Sequence, residues 1–165
     1  MDLREGKHWS YGAGGGFNQL EHSVAYTINA PVQADKTGEA LAALMQDVRE
    51  FLTTKGVTDD ELARTVNGDT RELPGRFETA GAVLSAMQTN DLRRRPDDYY
   101  SHLAQKYRAL TVPQLDAAAR ATLDPSRLVW VVVGDASKVK PQLDGLGLSV
   151  EVIPAASVAA AKPAN

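Results

Sequence analysis

The 165-residue chain contains no cysteine. That excludes a disulfide framework, a thiolate nucleophile and a Cys-ligated zinc site, and it suits cytosol and periplasm alike. Long apolar runs are missing too. The strongest, Leu128 to Val133, is far too short to span a bilayer. The segment from Met1 to Ser10 is charged and lacks the apolar stretch of a signal peptide. No excess of positive charge exists either: 18 Lys and Arg stand against 21 Asp and Glu, a formal net charge of -3. This argues against a nucleic-acid binder that works by phosphate neutralisation. No G-x-S-x-G elbow occurs, so a serine hydrolase is not indicated. What remains, 43% hydrophobic and 24% charged residues, excludes a disordered, collagen-like or fibrous chain. The length suits one domain.

Local patterning predicts two strands first. Tyr11 to Phe17 is glycine-rich, and Ser23 to Ala30 alternates in the period of a half-buried strand. A turn near Asn18 to Glu21 would join them antiparallel, the glycines allowing close approach of another backbone or a ligand. After Pro31, Asp35 or Thr37 is expected to cap a helix whose stripe is Leu41, Leu44, Met45, Val48, Phe51 and Leu52. Gly56 suits its left-handed end. Thr58 and Glu61 have the spacing of a capping box, opening a second helix that breaks near Leu73-Pro74-Gly75. A third presents Phe77, Ala80, Val83, Leu84 and Met87. A fourth follows Asp97 and Asp98, with Tyr100, Leu103 and Tyr107 inward. Thr111 is expected to cap a fifth. Leu128 to Val133 reads as a buried interior strand, Ser137 to Leu143 as a short helix, and Leu148 to Val152 as a last strand. This is an α+β order, with a two-layer antiparallel or mixed sheet and helices packed on one face. One domain is expected over residues 1–154, with a flexible tail over 155–165.

Few residues offer chemistry. His8, His22 and His102 show no paired ligand spacing. Asn18 to His22 is an H-x-x-E-H zinc signature with asparagine for its first histidine, in a predicted turn where the signature needs a helix. Asp59, Asp60 and Glu61 are explained as helix N-terminal charge, and Arg93 to Arg95 as a solvated loop. Trp130 reads as core; Trp9 reads as core or as a wall for substrate.

The stretch Leu3-Arg4-Glu5-Gly6-Lys7-His8-Trp9-Ser10-Tyr11-Gly12 resembles the L-R-(x)6-Y segment in the C-terminal half of pitrilysin/insulinase-type zinc peptidases, the inverzincins, whose fold is that of the mitochondrial processing peptidase. Asp35-Lys36-Thr37, Val57 to Leu62, Leu110 to Leu115, and Leu123-Asp124-Pro125 through Val133-Gly134-Asp135 resemble further family segments in the same order. The resemblance runs from Leu3 to about Gly134.

Several expectations follow from that resemblance. The chain is a C-terminal fragment whose opening strands and helix are missing, and it binds no zinc alone. Zinc belongs to an N-terminal domain or partner subunit of the same family, and the substrate is a peptide. Arg4 and Tyr11 correspond to the residues that reach the zinc-bound carbonyl. Gly12, Gly14 and Phe17 would lend a strand edge to extended substrate. The alternative is a non-catalytic scaffold or binding subunit homologous to such peptidases. No nucleic-acid or membrane partner is expected, and a periplasmic parent follows from exported bacterial relatives.

Overall fold

The structure, a computed structural model, describes residues 2–19 and 23–160. Two strands and seven helices are formed among them, joined by shorter helical turns. The α+β class holds. The chain divides into two compact units, Met1–Asp47 with Val129–Asn165, and Val48–Leu128. The cut falls inside helix α1 (Thr37–Glu50).

In the first unit, β1 (Gly14–Gln19) pairs antiparallel with β2 (Val24–Asn29), in a register running from Gly14 opposite Asn29 to Gln19 opposite Val24. The antiparallel pairing follows the sequence expectation, but β2 is shorter and β1 is shifted along the chain: Tyr11 to Ala13 lie outside it, and Asn18 and Gln19, expected in the turn, pair with Ala25 and Val24. Leu20, Glu21 and His22, where the turn and the end of the zinc-like signature were expected, lie outside the described residues. Phe17 and Tyr26 are cross-strand partners whose rings meet at 4.9 Å, the usual unit of sheet cohesion.

Helix α1 opens differently from expectation. Neither Asp35 nor Thr37 caps it. A 3₁₀ turn, Ala34–Lys36, precedes it, and the Thr37 hydroxyl lies within reach of the Gln33 and Ala34 carbonyls. Two small cores form along the helix. Leu3, Ala40 and Ala43 make one, with Trp9, Ala30, Val32 and Leu44 packed on it. Leu41, Val139 and Leu143 make the other, with Trp130, Leu148 and Val150 against it. The partner in the second is α6 (Ala136–Asp144), whose N-cap Asp135 accepts from the Ser137 N–H at 3.0 Å. Gly38 permits a close approach of α1 and α6. A Cβ there would lie 2.9 Å from the Gln142 carbonyl oxygen, and Gln142 Oε1 instead accepts from the Gly38 N–H at 3.0 Å.

Leu128 to Val133 corrects the sequence reading. It forms no strand, and Val129, Val131 and Val133 are 86%, 82% and 95% exposed. Leu148 to Val152 forms none either. The apolar β-branched run supplies strand propensity, but a strand exists only where a second backbone completes its ladder. Residues 155–160, expected within a tail, form the short helix α7 (Ala155–Ala160); 161–165 lie outside the described residues.

The second unit is helical. α1 ends in a π-helical turn, Phe51–Lys55, closed at Gly56. Then come α2 (Asp59–Glu72), α3 (Ala80–Leu92), α4 (Leu103–Arg108) and α5 (Val112–Thr122). The Thr58–Glu61 capping box forms as read. The Thr58 hydroxyl oxygen accepts from the Glu61 N–H at 3.2 Å, and the Glu61 carboxylate accepts from the Thr58 N–H at 3.0 Å. At α5, Gln114 Oε1 accepts from the Thr111 N–H at 3.0 Å. The third helix departs from its expected face: Val83, Leu84 and Met87 are exposed, and Thr79 caps it. The expected fourth helix is a 3₁₀ turn, Tyr99–His102, running into the short α4, with Leu103 buried.

The capping box makes stability respond to acid. The backbone N–H of Thr58, and then its hydroxyl, hold the Glu61 carboxyl below its ordinary value. A folded-state pKa below the unfolded one adds stability above the unfolded value, about 4.3. That contribution disappears as pH falls through the folded value. Glu61→Gln retains a carbonyl acceptor but does not titrate. The variant is expected to lose less melting temperature than the wild type between pH 6 and pH 3. Equal acid slopes in parallel thermal melts would count against the assignment.

Candidate functional site

The segment from Arg4 to Tyr11 starts in a π-helical turn, Asp2–Gly6, and folds back on it. The Leu3 carbonyl accepts from both the Trp9 and Ser10 N–H groups, at 3.0 and 3.2 Å. Burial of Leu3 against Ala40 and Ala43 fixes that carbonyl. On the far side, the Gln33 N–H donates to the Trp9 carbonyl at 3.0 Å, and Ser10 makes an isolated antiparallel bridge with Val32. The buried Ser10 hydroxyl lies 2.6 Å from the Pro31 carbonyl and 2.8 Å from the Gly12 carbonyl; its one proton serves one at a time. The same oxygen accepts from the Gly12 N–H at 3.1 Å. Ser10 thus holds the backbone on both sides of Tyr11. Sequence reasoning missed this role because a serine ahead of a glycine run carries no distinctive signal.

Tyr11 itself stands in solvent, 90% exposed. It borders a shallow hollow of about 500 Å³ with His8, Trp9, Ser10, Pro31, Val32 and Gln33. His8 has a positive φ of 56°, a conformation in which few non-glycine residues are found. Its carbonyl accepts from Gln33 Nε2 at 3.3 Å. Trp9 packs on the Leu3 core, as one of its two sequence readings had it, and also borders the hollow. The Lys7 and Lys36 ammonium groups lie 5.0 and 5.7 Å from the centre of its ring, within cation–π range.

The backbone of Arg4 lies in the opening turn, while its side chain falls outside what the structure describes. No distance between Arg4 and Tyr11 therefore enters the geometry. At Gly12 and Gly14 an added Cβ would meet nothing within 4 Å, so neither glycine is required by close packing. The close approach is at Gly15, where a Cβ would lie 2.6 Å from the Tyr26 hydroxyl. Phe17 is 62% exposed. Among the described residues β1 has one strand neighbour, β2.

The remaining candidates carry less. No group of three or more His, Asp or Glu among the described residues has the proximity to hold a metal ion. Asn18 lies in β1, not on the helix a zinc signature requires. Asp98 Oδ2 lies 3.1 Å from His102 Nε2 on the surface. Arg93 and Arg94 are exposed, and the Arg95 guanidinium lies over the Tyr99 ring at 4.2 Å.

Residues 1–68 match the family model described as the peptidase M16 inactive domain. The match takes in the Arg4–Tyr11 segment, Asp35-Lys36-Thr37 and the start of α2. The fold is similar to the crystal structure of a peptidase M16 inactive domain from Pseudomonas fluorescens, with a TM-score of 0.65 and 24% identity. That likeness covers 75% of this chain and 29% of the other. No curated protein matches the sequence. No helix among the described residues is long and apolar enough to cross a membrane.

Proposed function

We propose that this chain is the substrate-clamping C-terminal part of a zinc-dependent metallopeptidase that hydrolyses peptides in a closed chamber, inactive on its own. The observation that carries the reading is Tyr11: a phenol 90% exposed, on a backbone held by the Leu3 carbonyl and the Ser10 hydroxyl. Packing alone does not account for a fixed, outward tyrosine, whereas a surface that closes over a substrate does.

In this reading the zinc belongs to a partner domain or subunit of the same family. Hydrolysis of a peptide bond passes through a tetrahedral oxyanion. The Tyr11 hydroxyl and the Arg4 guanidinium are the donors this chain would bring to it or to the flanking peptide carbonyls. The open edge of β1, with Gly14 unshielded and Phe17 exposed, would pair with the extended peptide backbone; Gly12 precedes the strand, and its N–H is held by the Ser10 hydroxyl. The second reading, a non-catalytic scaffold or binding subunit homologous to such peptidases, is compatible with the match of residues 1–68 to the model of an inactive domain.

Metal content and cleavage separate the two readings. The chain alone is expected to bind no stoichiometric zinc and to leave a flexible, fluorogenic peptide intact. The complete protein, with its partner half, is expected to hold zinc and cleave. A complete protein that is folded, zinc-free and inactive would establish the scaffold reading instead.

A further inference from the structure

Tyr11 to Ala13 lie between the Ser10–Val32 bridge and the start of β1 at Gly14, outside the β1–β2 ladder. Gly12, next to the tyrosine, makes no backbone–backbone hydrogen bond among the described residues. What holds it is the Ser10 side chain. The hydroxyl oxygen accepts from the Gly12 N–H at 3.1 Å, and its proton reaches the Pro31 carbonyl at 2.6 Å, the shorter of its two carbonyl contacts. Ser10 is buried, so water competes weakly for either bond. The Pro31 side of this link is itself fixed. The Gln33 N–H donates to the Trp9 carbonyl, Gln33 Nε2 donates to the His8 carbonyl, and the chain runs on into the 3₁₀ turn that precedes α1. One hydroxyl thus ties the backbone beside Tyr11 to a segment 21 residues away in sequence.

We infer that Ser10 is a positioning residue: its hydroxyl, accepting from Gly12 and donating to Pro31, sets the direction in which Tyr11 presents its phenol. The inference rests on the reading of Tyr11 as a donor to the substrate. The role calls for a group on a short stem that accepts and donates at once. A hydroxyl does both, and alanine does neither. Threonine keeps the hydroxyl and suits the extended backbone of a bridge. Ser10 does not touch the substrate; it acts through Tyr11. Its contribution is geometric, and a displacement of about 1 Å at a reacting group costs on the order of 10²-fold in rate. That loss falls on kcat rather than on KM, because an oxyanion donor acts in the transition state. A serine with a merely structural role would lower stability and leave the kinetics of the folded enzyme unchanged.

The bond is tested in the chain as it is, and its consequence in the complete protein. In the chain, NMR relaxation reports the backbone order of Tyr11 and Gly12. Ser10→Ala is expected to lower their order parameters from the rigid range, about 0.85, to below about 0.6, with α1 and α6 unchanged. Ser10→Thr is expected to keep them rigid. In the wild type, exchange of the Gly12 amide is expected to be slowed about tenfold or more relative to an unstructured peptide, which tests the bond even where Ser10→Ala unfolds. In the complete protein, Ser10→Ala is expected to lower kcat on a fluorogenic peptide about tenfold or more, with KM within about twofold. Ser10→Thr is expected to restore most of that loss. In a Tyr11→Phe background, Ser10→Ala is expected to cost little further turnover, because both substitutions act on the same hydroxyl. Rigid Tyr11 and Gly12 in folded Ser10→Ala, an unprotected Gly12 amide in the wild type, or the same loss of turnover with and without the Tyr11 hydroxyl would overturn the inference. Wild-type turnover in folded Tyr11→Phe would instead overturn the reading of Tyr11, and the catalytic role of Ser10 with it, while the order parameters report the Ser10 bond independently.

Discussion

Tyr11→Phe in the complete protein is expected to lower peptide turnover by about 10²–10³, the range for loss of one oxyanion donor. The substitution deletes one hydroxyl and keeps the ring. Because the ring is 90% exposed, little packing depends on it. The backbone that positions it is held by neighbours the substitution leaves alone: the Ser10 hydroxyl, the Gly12 N–H and the Leu3 carbonyl. Melting temperature and zinc content are therefore expected to stay at wild-type values. If the hydroxyl acts in the transition state, kcat and kcat/KM fall together; a change in KM alone would indicate substrate binding only. Arg4→Lys is expected to impair turnover as well, since an ammonium does not reproduce the donor fork of a guanidinium. Wild-type turnover in folded Tyr11→Phe would remove Tyr11 from the chemistry.

The second large effect is on stability. Gly56 closes the π-helical turn after α1 with φ 66° and ψ -159°, a combination essentially restricted to glycine. A Cβ there would sit 2.5 and 2.6 Å from the two carboxylate oxygens of Asp116. That carboxylate has little freedom to withdraw. One oxygen accepts from the Val57 N–H at 2.9 Å, and the other lies 3.7 Å from the Arg120 guanidinium. Arg120 is itself held by donating through Nε to the Leu52 carbonyl at 2.8 Å. Gly56→Ala therefore combines backbone strain, about 1–3 kcal/mol, with displacement of the Val57 partner, about 1–3 kcal/mol. A total loss of roughly 2–6 kcal/mol is expected, a large share of the stability of an ordinary domain. Chemical denaturation measures it, and Asp116→Ala dissects it. In the double variant the collision is gone and only the strain remains, so the two losses are expected to be less than additive. A cost below about 0.5 kcal/mol for Gly56→Ala would mean that the turn rearranges freely.

These two sites differ in how far the sequence disclosed them. Tyr11 is singled out as a candidate only by the family resemblance; its spacing from Arg4 alone does not place two side chains together. Gly56 was legible as a helix end but not in its conformation. A left-handed terminus was expected, and the φ is positive as expected. The extended ψ instead leads Val57 to a carboxylate 59 residues away.

What the sequence determined by itself is local. The Thr58–Glu61 capping box, the close of α2 before Pro74, the Asp135 cap and the β1–β2 hairpin all join residues a short distance apart in the chain. Their partners are written into the same few residues, so pattern suffices. What only the tertiary structure decided involves partners remote in sequence. Gln142 fills the space left by Gly38, Asp116 meets Gly56, and Leu3 fixes the loop before Tyr11 through Ala40 and Ala43. The clearest case is Leu128 to Val133. Its composition is that of an interior strand, yet a strand is a relation between two backbones. Among the described residues no second backbone pairs with it, and its valines stand in solvent.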